Sequence, residues 1–285
     1  MKYKFIKEHH SEFLVKEMCQ VLQVSRSGYY HWKQRRKSKR TQENEFLLDE
    51  IKQIYNESRS LYGSPKITAE LKKKKIKCSR PRVARIMKNN GIKSITKRKF
   101  VVTTNSKQNK KVAPNLVGQN FTTSVPNKLW LSDITFIKTL NGWLYLAVVL
   151  DVYSRKIVGW SMSRNMKSSL VVNALQDALN NRTPSENLVF HSDRGKQYGS
   201  NEFVKLLKKH SIIQSMSAAG NCYDNAMMES FFSVLKKELI YINQYNTAYR
   251  IRNKIFEYIE IFYNRKRIHS GIDYSNPVDY ENSFR

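Results

Sequence analysis

One carboxylate constrains this chain more than any other residue. Asp133 sits in the middle of Leu129-Trp-Leu-Ser-Asp-Ile-Thr-Phe-Ile137, whose β-branched and aromatic content predicts a strand. An ionised carboxylate there is costly to bury unless it is paired or metal-bound. Two further acids stand in pointed settings. Asp193 follows the apolar run Leu188-Val-Phe190 in His191-Ser-Asp-Arg-Gly195, where a strand should break into a glycine turn. Alone, it fits a plain turn residue equally well. Glu229 lies on an amphipathic helix expected to start near Asp224-Asn225, and alone it reads as part of a solvated face. Taken together, the three acids fall in the order strand, strand end and helix, with 35 residues between the second and the third.

Charge says what the partner is. The net charge of +28 over 285 residues implies a polyanion. Residues 1–125 carry 30 Lys+Arg against 9 Asp+Glu, while residues 126–285 carry 21 against 14, so the basic excess belongs mainly to the N-terminal half. Phosphate contacts with counterion release, and hence DNA, account for it economically. The length suits about two domains. Cys19, Cys78 and Cys222 are too few and too scattered for a disulfide framework or a zinc finger. With no signal peptide and no long apolar span, the expected location is the cytoplasm, away from any membrane.

The N-terminal half reads as helical. Val15–Leu22 has a buried stripe, and Ser25 can cap a second helix carrying Tyr29, Tyr30 and Trp32, which makes residues 1–40 a helix-turn-helix-like segment. A basic connector, Lys33–Arg40, follows. Residues 41–102 form a second basic helical unit expected to bind DNA: Glu43–Glu57, a helix opening at Ser64-Pro65, and Arg82–Asn89 ended by Gly91. Residues 103–125, rich in Thr, Asn, Gln and Lys and free of acids, mark a linker.

From residue 126 the pattern turns to strands. Leu129–Lys138 and Trp143–Val152 are joined through Asn141-Gly142, a hairpin signal, and Lys156–Met162 is a third strand. Helix Ser168–Asn180, strand Leu188–His191, helix Asn201–His210, strand Ile212–Met216 and a helix over Asp224–Leu239 follow. The expected class is α/β: a ribonuclease-H-like catalytic core with a five-stranded mixed sheet over residues 126–245, preceded by small all-α units. A helical tail over 246–285 follows it. On this topology Asp133 and Asp193 fall on neighbouring strands and Glu229 on a covering helix.

Phosphodiester chemistry needs charge neutralisation and an activated oxygen nucleophile. Carboxylates holding two Mg²⁺ ions about 3.5–4 Å apart supply both, and Mn²⁺ can substitute.

The stretches Trp130-Leu-Ser-Asp133, His191-Ser-Asp-Arg-Gly-Lys-Gln-Tyr198, Gly220-Asn-Cys-Tyr-Asp-Asn-Ala226 and Glu229-Ser-Phe-Phe-Ser-Val-Leu-Lys236 resemble the B-frame transposases of the IS3 family of bacterial insertion sequences. The likeness extends to Val24-Ser-Arg-Ser-Gly-Tyr-Tyr30, Tyr62-Gly-Ser-Pro65 and Tyr263-Asn-Arg-Lys-Arg-Ile-His269, and so covers nearly the whole chain. It implies an integrase-like catalytic triad of Asp133, Asp193 and Glu229 that binds the metal, and a DNA-facing base at Lys236. It also implies an A-frame partner, or a frameshift fusion with it, and a homo-multimer assembled on DNA. The paired His and paired Cys zinc module of retroviral integrases is missing from this chain.

Further DNA contacts are expected from Gln197 and Tyr198, in the loop after the second Asp, and from Asn225, one turn before Glu229; loop packing and helix capping are their plainer alternatives. Asp151 reads as a supporting or turn residue. Two rival functions fit the same residues: a non-enzymatic or domesticated DNA-binding protein, and a ribonuclease-H-type nuclease acting by hydrolysis alone.

Overall fold

The computed structural model describes residues 1–34, 36, 38–96, 113–140, 142–218, 222–242 and 247–284. Its centre is a five-stranded mixed sheet in the order β3-β2-β1-β4-β5. β1 (Leu129–Thr139), β2 (Gly142–Asp151) and β3 (Ile157–Ser163) form an antiparallel meander, while β4 (Val189–Ser192) and β5 (Ile213–Met216) run parallel to β1. Asn141 of the hairpin turn lies outside the described residues. The long run of apolar residues in β2 follows from its place in the sheet, since a strand covered on both faces has no reason to alternate with polar residues.

One face packs against α7 (Ser168–Asn181) and α8 (Asn201–Lys209) through Trp130, Ala147, Val149, Ala174, Phe190 and Phe203. Gly159 of β3 is required here, because a Cβ would strike the backbone of Ala174 and Ala178. The other face is covered by α9 (Ala226–Leu235), α10 (Ala248–Phe256) and the π-helical turns that extend each of them.

Among the described residues, six helices precede the sheet: α1 (Lys2–Glu8), α2 (Val15–Val21), α3 (Arg26–Gln34), α4 (Lys39–Glu57), α5 (Ser64–Lys73) and α6 (Arg80–Asn89). The first three have a small core of their own built on Ile6, Met18, Cys19 and Tyr29. α4–α6 do not stand apart: their core (Leu47, Ile51, Ile67, Leu71) is continuous with the sheet face lined by Leu131, Val148, Phe231 and Phe262.

Polar joints reinforce that continuity. The Tyr62 hydroxyl accepts the Ile268 amide N–H at 2.8 Å and donates to the Lys266 carbonyl at 3.3 Å. Arg59 pairs with Glu257 at 2.6 Å. Beneath them Arg267 grips Glu238 through both carboxylate oxygens, at 2.7 and 2.8 Å, in a nearly fully buried ion pair. Asn264 brackets Ile157 of β3, accepting its N–H and donating to its carbonyl at 3.0 Å each. The chain closes with α11 (Pro277–Asn282), whose Glu281 pairs with Arg182.

Several element expectations need correction. α1 has no legible apolar stripe in the sequence, because its lysines mask its single buried residue, Ile6. α4 starts at Lys39 rather than Glu43, because the Ser38 hydroxyl caps the Thr41 N–H. The single helix expected over Asp224–Leu239 is instead a 3₁₀ turn (Cys222–Asn225), α9, and a π-helical segment, Lys236–Ile240. Residues 103–112 of the expected linker lie outside the described residues. Residues 114–117 pack onto the sheet end: the Met216 N–H reaches the Pro114 carbonyl, the Leu116 N–H reaches the Ser215 hydroxyl, and Val117 is buried. Among the described residues, no helix is long and apolar enough to cross a membrane.

Candidate active site

The parallel pairing of β1 and β4 ends at Ser132 opposite Ser192. Asp133 and Asp193 are each the next residue, so they stand side by side where the pairing of the two strands ends, about 4.8 Å apart. β4 stops there, whereas β1 continues to Thr139, so this edge of β1 is open beyond Asp133 among the described residues. The half-buried Asp133 lies on the face covered by α9, in step with the inward-facing Leu131 and Ile137. Its Oδ1 accepts the Ile134 N–H at 2.7 Å. Asp193 opens a tight loop and accepts the Gly195 N–H at 2.9 Å.

Glu229 is exposed in the first turn of α9. Lys236, seven residues on, is half-buried, with its Nζ 5.2 Å from the centre of the Phe136 ring. The electrostatics of all four residues meet at Asp133. Burial, then the charge of Asp193, then more weakly that of Glu229 push its carboxyl up to about 8, against the pull of the Ile134 N–H and of Lys236. Asp193 is also raised, chiefly by desolvation.

The donor set fits hard divalent cations, since it is all carboxylate oxygen and its members repel one another without a counter-charge. Among the described residues, however, no three His, Cys, Asp or Glu side chains gather tightly enough to share one ion. The two aspartates are paired by the sheet, and Glu229 reaches them only through its field.

Two expected DNA contacts prove to be internal. Tyr198 is fully buried between Phe190 and Phe203, and its hydroxyl bonds Ser132 Oγ at 2.8 Å beneath the two aspartates. Burial, reinforced by the charges of Asp193 and Asp133, holds that hydroxyl in its neutral form. Asn225 is buried at the start of α9, makes no capping bond, and has an unpartnered Oδ1. Gln197 stays partly exposed, but its amide donates to the Met166 carbonyl at 2.9 Å and ties this loop to the one ahead of α7. Asp151 is a turn residue, accepting the Asn127 and Tyr153 N–H groups, and burial raises it to about 6.

The sequence reading missed His191. Its Nε2 faces the Asp224 carbonyl at 3.0 Å, which requires a proton on that nitrogen and leaves Nδ1 to accept from the Ser215 hydroxyl at 2.8 Å. Burial keeps the ring neutral. Asp224 in turn accepts from the Asn115 amide and the Ala218 N–H. This buried network fixes the approach to α9 and so the position of Glu229. A histidine in an apolar strand just before the second aspartate was the available signal.

Comparison with known proteins places this geometry. An integrase core domain family model matches residues 124–222, a second integrase core domain model matches 229–284, and an HTH-like domain model matches 41–100. The chain is 42% identical to the transposase InsF for insertion sequence IS3A of Escherichia coli (strain K12), over 99% of each chain. It is also 42% identical to an insertion element IS600 uncharacterized 31 kDa protein of Shigella sonnei, over 94% of this chain and 98% of that one. Among solved structures, the HTLV-2 integrase catalytic core domain in complex with magnesium matches 56% of this chain and 99% of its own, with a TM-score of 0.44 and 17% identity. The BIV integrase catalytic core domain matches 55% and 95%, with a TM-score of 0.42 and 18% identity.

Proposed function

Since this chain belongs to the transposases of IS3-type insertion sequences, we propose that Asp133, Asp193 and Glu229 are the residues with which it cuts DNA at the element ends and joins the freed 3′-hydroxyl to a target duplex. The observation that carries the reading is the register of β1 against β4. It sets two carboxylates side by side at the open end of the sheet, with the charges of Glu229 and Lys236 acting on the first of them.

In this reading the three carboxylates hold two Mg²⁺ ions, with Mn²⁺ as a substitute. Bound there, the metal would neutralise charge on the phosphate and lower the pKa of the attacking oxygen. The protein's own residues do the rest. Asp133 and Asp193 bind from the sheet, Tyr198 and Ser132 brace the floor beneath them, and the His191–Asp224 network holds the start of α9, which carries Glu229. Lys236 holds a phosphate next to the scissile one as a point charge. Gln197 offers a secondary DNA contact on the rim; the buried Tyr198 and Asn225 do not.

The basic helices α4–α6 form the first DNA-binding surface, with Arg85 and Lys88 exposed on α6. The working form is a multimer on DNA in the bacterial cytoplasm, joined by an A-frame protein or fused to it.

The test is strand transfer with duplex oligonucleotides carrying the element ends, in Mg²⁺ or Mn²⁺. Products should show a target strand joined to the element 3′ end, and chelation should remove them. Hydrolysed ends without any joined product would assign the site to a nuclease instead.

A further inference from the structure

Two large aromatic side chains stand in solvent further along β1 and β2, on the face of the sheet opposite Asp133, and neither the core nor the proposed chemistry uses them. Phe136 and Trp143, on the β1–β2 hairpin, are 42% and 47% exposed. Their rings meet edge to face, with centroids 5.3 Å apart at 88°, which holds one ring firmly against the other. They lie diagonally across the hairpin, because Phe136 pairs with Tyr145 and Lys138 with Trp143. The face they share is the one that α7 and α8 cover further along the sheet, where Tyr145 and Ile134 pack beneath those helices.

The pair is physically tied to the reacting end of the sheet. Phe136 is three residues beyond Asp133 on the same strand, about 10 Å along it. There the edge of β1 has no partner among the described residues. Lys236 bridges the gap, with its ammonium 5.2 Å from the Phe136 ring centre and its charge acting on Asp133. The surroundings suit a polyanion: residues 134–150 contain no acid, and Lys138 is exposed between the two aromatics. Rigid aromatic faces flanked by ammonium groups, a nucleotide or two from a phosphodiester-cutting centre, match the chemistry of an unstacked base better than that of a protein partner.

We propose that Phe136 and Trp143 form a stacking platform for a nucleobase unpaired from the duplex next to the scissile phosphate, with Lys236 engaging the phosphate between that base and the triad. The proposal rests on the triad reading above for its neighbouring site. It says that the enzyme takes the DNA end partly melted, so that an aromatic face replaces the stacking the base loses.

The experiment uses the full chain and binding alone, so that it stands apart from catalysis. Two fluorescent oligonucleotides carry 2-aminopurine one or two nucleotides from the cleavage position. One is fully paired and the other is mismatched there so that the base is already free. Wild-type protein should bind the mismatched end more tightly and quench its 2-aminopurine on binding. Phe136→Ala and Trp143→Ala should each weaken that preference about tenfold and abolish the quenching. They should leave binding to the paired interior unchanged. Trp143→Phe should retain the preference, while Trp143→Leu, equally apolar, should lose it.

Equal affinity for both ends in wild type, or alanine and leucine variants that quench as wild type does, would overturn the proposal. So would a change in oligomeric state on size exclusion in Phe136→Ala with end binding intact, since that would assign the patch to a contact between copies of the chain. Loss of strand transfer in Asp133→Asn is read separately: if that variant kept full activity, the triad would fall while the binding result stood on its own.

Discussion

Asp133 and Asp193 occupy equivalent steps on two parallel strands, each one residue past the Ser132–Ser192 pair. The backbone ladder, rather than any side-chain contact, fixes their proximity. Asp133→Asn, Asp193→Asn and Glu229→Gln should each lower strand transfer by more than about a hundredfold and leave DNA binding largely intact. Stability should move the other way. Removing the charge at Asp133 relieves burial and like-charge repulsion, so Asp133→Asn should melt higher than wild type in chelator and lose the stabilisation that Mg²⁺ gives wild type. A variant with near-wild-type strand transfer would remove its residue from the triad.

Lys236 should prove specific where its neighbour is not. Lys236 directly follows α9 and its charge acts on Asp133, whereas Lys237 is the next residue of the π-helical segment and turns to another side of it. Lys236→Ala should weaken binding of the element end and lower strand transfer, and Lys237→Ala should do much less. Equal losses in a filter-binding titration would reduce both to bulk charge.

The buried Arg267–Glu238 pair should be costly to break and cheap to replace. Glu238 also accepts the Tyr258 hydroxyl at 2.8 Å, so Glu238→Gln leaves a guanidinium without its counter-charge in the core. Denaturant melts should show a loss of about 3–5 kcal/mol for Glu238→Gln or Arg267→Met. The double variant should recover much of that loss; additive costs would show that the two residues act separately.

Lys66 sets a pH dependence. Burial, then repulsion from Arg267, lower its ammonium to about 7, against some help from Glu238. Below that pH the side chain is charged in both the folded and unfolded states, and the folded state bears the full cost. Between about 7 and the ordinary value near 10.5 the unfolded chain holds a proton that the folded chain has released, so rising pH favours folding. Lys66→Met should therefore melt higher than wild type at pH 6, with the difference shrinking toward pH 10. Parallel melting profiles would sink this assignment.

How far the sequence could be read depended on the range of the interaction. Strands announced themselves through β-branched runs, and the three acids through their misfit with those runs, because both signals are local. Tyr198 is harder to read for the same reason: its loop setting allows exposure or packing alike, and its burial depends on Phe190, Phe203 and Ser132, the last 66 residues away. The join of Tyr62 to Ile268 spans 206 residues. Both ends were visible as motifs, and nothing in either pointed to the other. The break of the Glu229 helix into a π-helical turn at Lys236 was equally hidden, since its apolar spacing fits a continuous helix.

The join between Tyr62 and Ile268 turns the enzyme into a ruler. A DNA-gripping unit on a loose tether could serve cut sites at many spacings, because the tether would absorb the difference. Here α4–α6 share one core with the sheet that carries Asp133, so on the proposed function the span from the gripped groove to the cut phosphate is a fixed dimension of the folded protein. About five extra base pairs between the two would turn the gripped groove half a turn away, to the far side of the helix. On the proposed function, element ends keep their recognition sequence and their cleavage point at one invariant helical phase.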